Sequence, residues 1–332
     1  MALGVVLFIV YLAYTNPFIV LFEVGRFNPW LYILAVAVDW VGLLFLAESW
    51  HMLLRAMDVR VSLWKSIQLT FVSLFAVFIF PVPSGFEIIR AYLVKDEEGG
   101  NAGKAASSVM LNKVYYFVGF SALLLASTFI VVVLGGGEIP VMPELVWVVV
   151  IYAMVNTLIF SFLLTPKLLT KLYGGSPKWV RTKLLDRVYN PDMGLGGFNN
   201  FVEEMELAVR ALRRRPISSL LSVLMAGLHW SSGAVTTYLV GLSLGVSISF
   251  WVVILIYGVV EFIQQLNVVV PSGLGVVDAG LTGALIVVGI PLNVAAAISL
   301  LTRLATYWLE LVICGAVSFR FGYREALGQY LE

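Results

Sequence analysis

The 332-residue sequence has few of the side chains from which disulfides and metal sites are built. Its single cysteine, Cys314, excludes an internal disulfide and a cysteine-rich metal site. Its two histidines, His51 and His229, lie far apart and form no His-x-x-x-His pair. We therefore expect no metal and no cofactor.

The signatures of common hydrolases and nucleotidases are also missing. Ser84 and Ser272 follow proline in tight turns, but neither has a histidine close by in the sequence to act as a base. The glycine turn at 135–137 lacks the lysine and the Ser or Thr of a phosphate-binding loop. We expect no catalytic residue, no enzymatic activity, no ATP hydrolysis and no nucleic-acid partner.

Charged residues are scarce, at 12% of the chain, whereas hydrophobic residues make up 60%. A soluble domain has about 25% charged and about 45–50% apolar residues. The stretch 2–22 has neither the basic start nor the cleavage site of a signal peptide, and many apolar runs follow it. The composition predicts an all-α polytopic membrane protein.

Long apolar runs, separated by turns rich in glycine, proline and charge, divide the chain into helices. A helix that crosses a bilayer needs about 20 apolar residues. Helices are predicted at 2–22, 31–54, 63–80, 86–94, 105–134, 145–164, 217–244, 251–270, 274–290 and 291–319.

The sizeable polar segment 166–215 is a predicted cytoplasmic linker. From residue 199 to 215 it places apolar side chains at helical spacing, with glutamates early and arginines late, an order that suits the helix dipole. This pattern predicts an amphipathic elbow helix that lies on the membrane interface. Its apolar face consists of Phe201, Met205, Ala208, Val209 and Leu212.

Two Pro-Ser-Gly turns interrupt the apolar runs, one from Pro83 to Glu87 and the other from Pro271 to Asp278. In hydrocarbon, each unpaired backbone group of an open turn costs several kcal/mol. Such a turn survives only if it is buried in protein or lines a wet cavity. We expect the turns to be the tips of helical hairpins at a binding site. The tip residues are Pro83, Ser84, Gly85, Pro271, Ser272, Gly273 and Gly275.

The distribution of lysine and arginine predicts the topology. The loop 55–65, the linker 166–215 and the C-terminus are basic, and basic segments are retained in the cytoplasm. These segments share one side if 63–94 and 251–290 are re-entrant hairpins. The prediction is a cell (plasma) membrane protein with about six spanning helices and two hairpins, in halves at 29–134 and 217–320 that are inverted relative to each other. About eight simple crossings are the alternative.

Each tip has an acidic residue beside it and a basic residue on the following helix. Lys113 follows Glu87 at nearly the spacing at which Arg303 follows Asp278. Ionisable residues cost about 2.5–3.5 kcal/mol at the centre of a membrane helix and are candidates for function. The guanidinium of Arg90 can bind a lipid phosphate through two hydrogen bonds. The predicted substrate-binding and translocation residues are Glu87, Arg90, Lys113, Asp278, Arg303, Glu261, Gln264, Gln265 and Tyr307.

Structural roles are open at the same positions. The acid and the base of each hairpin can form an ion pair that only holds the hairpin in place. Arg303, Tyr307 and Glu310 share a helical face and can form a salt-bridged stripe inside the protein. Asp39 is a weaker candidate for function. Glu48 lies near the inner interface, where its side chain can extend to water, which explains a charged residue there.

Two sequence blocks resemble motifs of the lysylphosphatidylglycerol synthase transmembrane (flippase-like) family. The block from Pro83 to Leu93 looks like its Pro-x-x-Gly-Glu-x-x-Arg-Ala motif, and the blocks at 271–281, 289–291 and 301–307 resemble its second motif. The likeness covers nearly the whole chain. Members commonly have Glu-Arg where this chain has Asn112-Lys113, and Glu in place of Asp278, which leaves the lipid specificity open.

The resemblance implies a lipid translocase fold, as in the flippase half of the multipeptide resistance factor. The aminoacyl-transferase domain of that factor has no counterpart in these residues, so we do not expect lysine transfer from tRNA. The implied function is movement of a phospholipid or a polyprenyl-linked anionic head group through a cleft between the hairpin tips. The alternative is a non-catalytic, lipid-binding membrane partner of a glycosyltransferase or lipid synthase. An oligomer is compatible with either function.

Overall fold

A computed structural model of the protein describes residues 2–25, 27–79, 85–97, 102–134, 143–175, 198–266 and 273–320. Every regular element within these ranges is a helix. In chain order the helices are α1 (Ala2–Thr15), α2 (Pro17–Val24), α3 (Pro29–Ala56), α4 (Leu63–Ile79), α5 (Gly85–Glu97), α6 (Ala102–Phe129), α7 (Pro143–Leu163), α8 (Pro166–Gly175), α9 (Phe198–Arg214), α10 (Pro216–Ser243), α11 (Phe250–Leu266), α12 (Val276–Val287), α13 (Leu292–Arg303) and α14 (Glu310–Arg320).

Two helices continue through π-helical segments. α6 extends through Ile130–Leu134, and Leu304–Leu309 joins α13 to α14. Within the described ranges, three continuous stretches are long and apolar enough to cross a membrane. They are Pro29–Ala56, Gly103–Leu134 and Leu292–Arg320.

Large apolar side chains are exposed along α1, α3 and α7, among them Val10, Ile33 and Leu158. Extensive apolar surface of this kind is unfavourable in water and is accepted by lipid. Together with the long apolar stretches, it makes this a helical membrane protein, as the composition predicts.

The N-terminal apolar run forms two helices, so the predicted single helix over 2–22 is wrong. α1 ends at Thr15 and α2 begins at Pro17. Proline has no N–H to donate, and it disfavours helical backbone at the residue before it. Asn16 accordingly takes a left-handed conformation, with φ of 53°. The later predicted runs each correspond to a helix in the structure.

The antiparallel pair α3 and α10 forms the centre of the fold and is the most extensive helix contact within the described ranges. Ser49 and Ser222 each donate to the main-chain carbonyl of the other, over 2.9 and 2.7 Å. Towards the opposite end, Thr236 donates to the Ala35 carbonyl over 3.2 Å. Late residues of α3 therefore meet early residues of α10, and early residues meet late ones.

The midpoint of this pair is the contact between Gly42 and His229. His229 Nδ1 lies 3.0 Å from the Gly42 carbonyl oxygen, and the two residues are 187 positions apart. The same separation of 187 positions relates Ala35 to Ser222 and Ser49 to Thr236. A shift by this number therefore converts one flanking contact into the other. α3 and α10 are thus related by an approximate two-fold axis near Gly42.

The helices that follow α3 and α10 repeat in length. α3 and α10 each have 28 residues. Each is followed by a helix of 17 residues, α4 or α11, and then by a shorter one of 13 or 12 residues, α5 or α12. α4 packs on α5, and α11 packs on α12, so each half contains a helical hairpin.

The elbow helix forms as α9. Its predicted apolar face is buried, and Met205 and Leu212 share a hydrophobic cluster with Trp50 of α3 and Leu111 of α6. The face therefore packs on protein. The reason is the apolar surface that α3, α5 and α6 present at this end of the fold, which is more stable when covered. The location of α9 at the membrane interface stays a prediction.

α6 and α10 cross closely at a pair of glycines. A Cβ added at Gly119 would lie 2.9 Å from the main-chain N of Gly227 and 3.0 Å from the carbonyl oxygen of Val223. A Cβ added at Gly227 would meet its nearest atom at 4.0 Å. Small residues allow such close approach between membrane helices. The crossing thus excludes a side chain on α6 and tolerates one on α10.

Gly119→Ala is expected to lower the free energy of unfolding by about 1–3 kcal/mol, because its methyl group meets main-chain atoms that cannot move aside. Gly227→Ala is the matched control on the facing helix and should melt like the wild type. Size-exclusion chromatography of the detergent-solubilised protein after heating gives the melting temperatures. Equal values for Gly119→Ala and the wild type would contradict the close crossing.

Candidate functional site

A cavity of about 750 Å³ lies between the two hairpins and the helices that follow them. Both halves line it, with α3 to α6 from the first and α10 to α14 from the second, and α7 adds to the wall. Eight of the predicted site residues line this one cavity: Glu87, Arg90, Lys113, Glu261, Gln264, Asp278, Arg303 and Tyr307.

Each half contributes one ion pair to the cavity wall. Lys113 Nζ lies 2.7 Å from Glu87 Oε1, which joins α6 to α5, and both side chains are partly exposed. Arg303 Nε lies 3.7 Å from Asp278 Oδ1, which joins α13 to α12. The Asp278 side chain is fully buried. The two pairs occupy corresponding positions, but the first is accessible whereas the second is largely sealed.

Arg90 lines the cavity, yet only 1% of its surface is exposed. Its guanidinium donates to Asn112 Oδ1 over 2.7 Å and to Thr70 Oγ1 over 2.8 Å. Its Cζ lies 3.8 Å from the centre of the Trp50 ring. These contacts tie α5 to α6, α4 and α3. They fit a role in holding the hairpin more directly than the predicted grip on a lipid phosphate.

The second hairpin tip is described from Gly273 onward. Gly273 and Gly275 have φ of 63° and 78°, a region that glycine enters freely. A Cβ at Gly275 would also lie 2.7 Å from the main chain of Leu7 in α1. Asp278 Oδ2 accepts the Gly275 N–H over 2.8 Å and closes the first turn of α12. The same carboxylate therefore caps its helix and pairs with Arg303.

Tyr307 connects the cavity wall to the first hairpin. Its hydroxyl donates to the Phe78 carbonyl oxygen over 3.4 Å, and its ring centre lies 4.6 Å from Arg303 Cζ. Glu261 and Gln264 extend the polar lining along α11. Gly85 is the first residue of α5. The side chain of Gln265 is not among those described. The tip residues Pro83, Ser84, Pro271 and Ser272 lie outside the described residues.

A pair of acidic residues, Asp39 and Glu310, was not among the predicted site residues. Both residues line the cavity, and their carboxyl groups are close enough to interact with each other. The sequence holds one signal for them, since both are carboxylates inside apolar runs. Nothing in the linear order indicates that α3 and α14 bring them together.

Several buried polar atoms of the cavity wall have no hydrogen-bond partner among the described residues. They include Asp39 Oδ2, Trp230 Nε1 and Thr302 Oγ1. A carboxylate oxygen accepts, an indole N–H donates and a hydroxyl does both. Trp230 also stacks on Phe120, with ring centres 3.8 Å apart, and packs against Tyr116. The wall can therefore bind a polar group beside an aromatic surface.

The sequence profile of the lysylphosphatidylglycerol synthase TM region matches residues 1–314, which include every residue of the cavity wall. The chain belongs to this family. The resemblance carried by the two Pro-Ser-Gly blocks is thereby confirmed. Membership in the lysylphosphatidylglycerol synthase TM family indicates a function related to membrane lipids.

Two relatives of this family member are UPF0104 membrane proteins. One, from Pyrococcus horikoshii, is 21% identical over 294 residues, which cover 85% of this chain and 84% of the relative. The other, from Methanothermobacter thermautotrophicus, is 24% identical over 299 residues, which cover 84% and 80%. No solved structure matches the chain.

Arg90→Lys is expected to destabilise the protein. Lysine keeps the charge but cannot make both guanidinium hydrogen bonds or stack flat on Trp50. Leaving the buried oxygen of Asn112 or Thr70 unpaired costs about 1–3 kcal/mol. Thermal unfolding in detergent should show a lower melting temperature. Arg320→Lys, at the exposed end of α14, is the matched control. A variant at position 90 that is as stable as the wild type would contradict the holding role.

Proposed function

We propose that the protein is a non-enzymatic transporter that moves a phospholipid or a lipid-linked anionic head group across the cell membrane. The observation that carries this proposal is the meeting of charged residues from both halves at one cavity inside an apolar helix bundle. Charged side chains in a membrane are costly, and those that persist face polar pathways or one another. The lipid-related family supports a lipid as the cargo.

Helix lengths support two re-entrant hairpins. α4 and α11 have 17 residues each, and α5 and α12 have 13 and 12. At about 1.5 Å per residue, the described parts of all four are shorter than a hydrocarbon core of about 30 Å. Hairpins that enter and return on one side account for these lengths. The remaining crossings are α1 with α2, α3, α6, α7, α10, and α13 with α14.

The antiparallel packing of α3 and α10 supports inverted halves. An axis that exchanges two antiparallel spanning helices lies in the membrane plane, as in transporters built from inverted repeats. We propose that the hairpins form the two gates of the cavity, one towards each side of the membrane. The basic loop at 55–65, the linker at 166–215 and the C-terminus then lie in the cytoplasm.

In the proposed mechanism, Lys113 and Arg303 bind the phosphate of the head group in turn. Each base has a carboxylate partner in the structure, Glu87 or Asp278, so lipid binding exchanges one ion-pair partner for another. The cavity lining includes exposed Ile159 on α7 and Gln264 on α11. In this mechanism the acyl or isoprenoid chain stays in the bilayer beside these exposed residues while the head group crosses.

Lys113→Gln and Arg303→Gln are each expected to slow lipid movement about tenfold or more, because a lost hydrogen bond from a charged donor removes about 1.5–3 kcal/mol. The assay follows a tail-labelled fluorescent phosphatidylglycerol in proteoliposomes by chemical quenching from outside. Lys104→Gln on α6 and Arg320→Gln on α14 are the matched controls. They make the same changes outside the cavity and should leave the rate unchanged.

Wild-type rates in both cavity variants would contradict the head-group role. A wild type that retains a lipid through purification, identified by mass spectrometry, but moves none would favour the alternative function. In that case the protein is a lipid-binding partner of a glycosyltransferase or another lipid-modifying enzyme, and co-purification with such an enzyme is expected.

The hairpin topology predicts that Arg60 and Glu97 face the same side of the membrane and that Glu144 faces the other. Single cysteines at these positions, in a Cys314→Ser background, are labelled with a membrane-impermeant maleimide in right-side-out and inverted vesicles. The native Cys314 is buried, so its replacement removes little reactivity. Labelling of positions 60 and 97 from opposite sides would contradict the first hairpin and favour simple crossings.

A further inference from the structure

The carboxyl pair of Asp39 and Glu310 lies where α3 faces the start of α14. Asp39 is 6% exposed and Glu310 is 7% exposed, so each is more than nine-tenths buried. Both line the cavity, and their carboxyl groups are close enough to interact.

A hydrogen bond between two carboxyl groups requires a proton on one of them, because an ionised carboxylate can only accept. Two bare carboxylates at this distance would repel each other strongly in a buried site. Asp39 Oδ2 has no hydrogen-bond partner among the described residues and belongs to a cavity-lining side chain. An acid pair at this position can hold a proton that the cavity reaches.

The groups that face the pair come from every neighbouring helix. Arg303 on α13 is the positive charge within electrostatic range of Glu310, and it lies 3.7 Å from Asp278. The other titratable neighbours are Tyr32 on α3, Tyr116 on α6, Tyr257 on α11, Cys314 on α14 and, in the same cavity wall, His229 on α10. Arg303 is thus within electrostatic range of two acidic sites.

The backbone between Arg303 and Glu310 is a π-helical segment, Leu304–Leu309. π-helical turns occur frequently at functional sites in helices. The contact between Arg303 Nε and Asp278 Oδ1 is also longer than a hydrogen bond. A small shift of α13 against α14 can therefore move the guanidinium from Asp278 towards Glu310.

We propose that Asp39 and Glu310 form a proton-binding site that couples proton movement to lipid movement through Arg303. This inference rests on the proposed transport function. While Arg303 pairs with a lipid phosphate, the carboxyl pair keeps its proton. After the lipid leaves, Arg303 approaches Glu310, the proton leaves to water, and the empty site returns without it. One proton travelling with one monoanionic lipid carries no net charge across the membrane, so the cycle is balanced.

The distribution of lipid between leaflets tests the coupling. One proton per lipid shifts the steady-state ratio between leaflets about tenfold for each unit of pH difference. Proteoliposomes with tail-labelled phosphatidylglycerol are compared at equal pH and with the lumen one unit (about 1.4 kcal/mol) more acidic or more alkaline. The wild-type ratio should shift with the gradient. Asp39→Asn and Glu310→Gln should show no shift.

Glu48→Gln is the matched control, because Glu48 is a carboxylate on α3 outside this cavity. It should respond to the gradient like the wild type. A wild type that moves the lipid without responding to the gradient would overturn the coupling. Full response in both Asp39→Asn and Glu310→Gln would also overturn it.

Infrared difference spectroscopy between acidic and alkaline pH tests the proton site without transport. The wild type should show the carbonyl band of a protonated carboxyl group, and Asp39→Asn and Glu310→Gln should lose it. A missing band in the wild type, or the same band in both variants, would overturn the site. A wild type with the band that moves neither phosphatidylglycerol nor phosphatidylethanolamine would contradict phospholipid transport and still support the proton site.

Discussion

The lack of water in a membrane interior favours pairing of buried polar groups within the protein, and the fold depends on this constraint. Arg90 donates hydrogen bonds to side chains of two neighbouring helices. Asp278 closes the start of its own helix through the Gly275 N–H. The hairpins are therefore held by the same polar groups that line the cavity. A change at one of these groups alters stability and the chemistry of the wall together.

The contact of α3 with α10 determines where those groups meet. The crossing is held by hydroxyl-to-carbonyl hydrogen bonds, such as the reciprocal pair of Ser49 and Ser222, which satisfy polar side chains in an apolar setting. A side chain at Gly42 would overlap the hydroxyl of Ser232. Because glycine has no side chain, the two helices approach closely here. Because the approximate two-fold axis passes near this point, the hairpins and their ion pairs converge on one central cavity instead of forming two separate ones.

The sequence predicted those features that depend on local pattern. Apolar runs located the helices, and the matching spacing of acid and base in the two halves located both ion pairs. Features that depend on tertiary contact were not predictable. The amphipathic pattern of α9 identified its apolar face but not the protein surface that covers it. The contact of Asp39 with Glu310 requires α3 and α14 to be neighbours, which no local pattern encodes. Proline at position 17 did carry the signal for the broken N-terminal helix, through its effect on the preceding residue.

Each half is covered by a helix that precedes the other half in the chain. α9 comes just before the second half but packs in the hydrophobic cluster of the first. α1 comes before the first half but packs on α12, where the Tyr11 hydroxyl lies 2.8 Å from Thr282 Oγ1, a residue 271 positions later. During synthesis, α9 emerges when its partners are already in the membrane. α1 is made long before α12, so its apolar surface must be sheltered by lipid or by the insertion machinery until α12 is made.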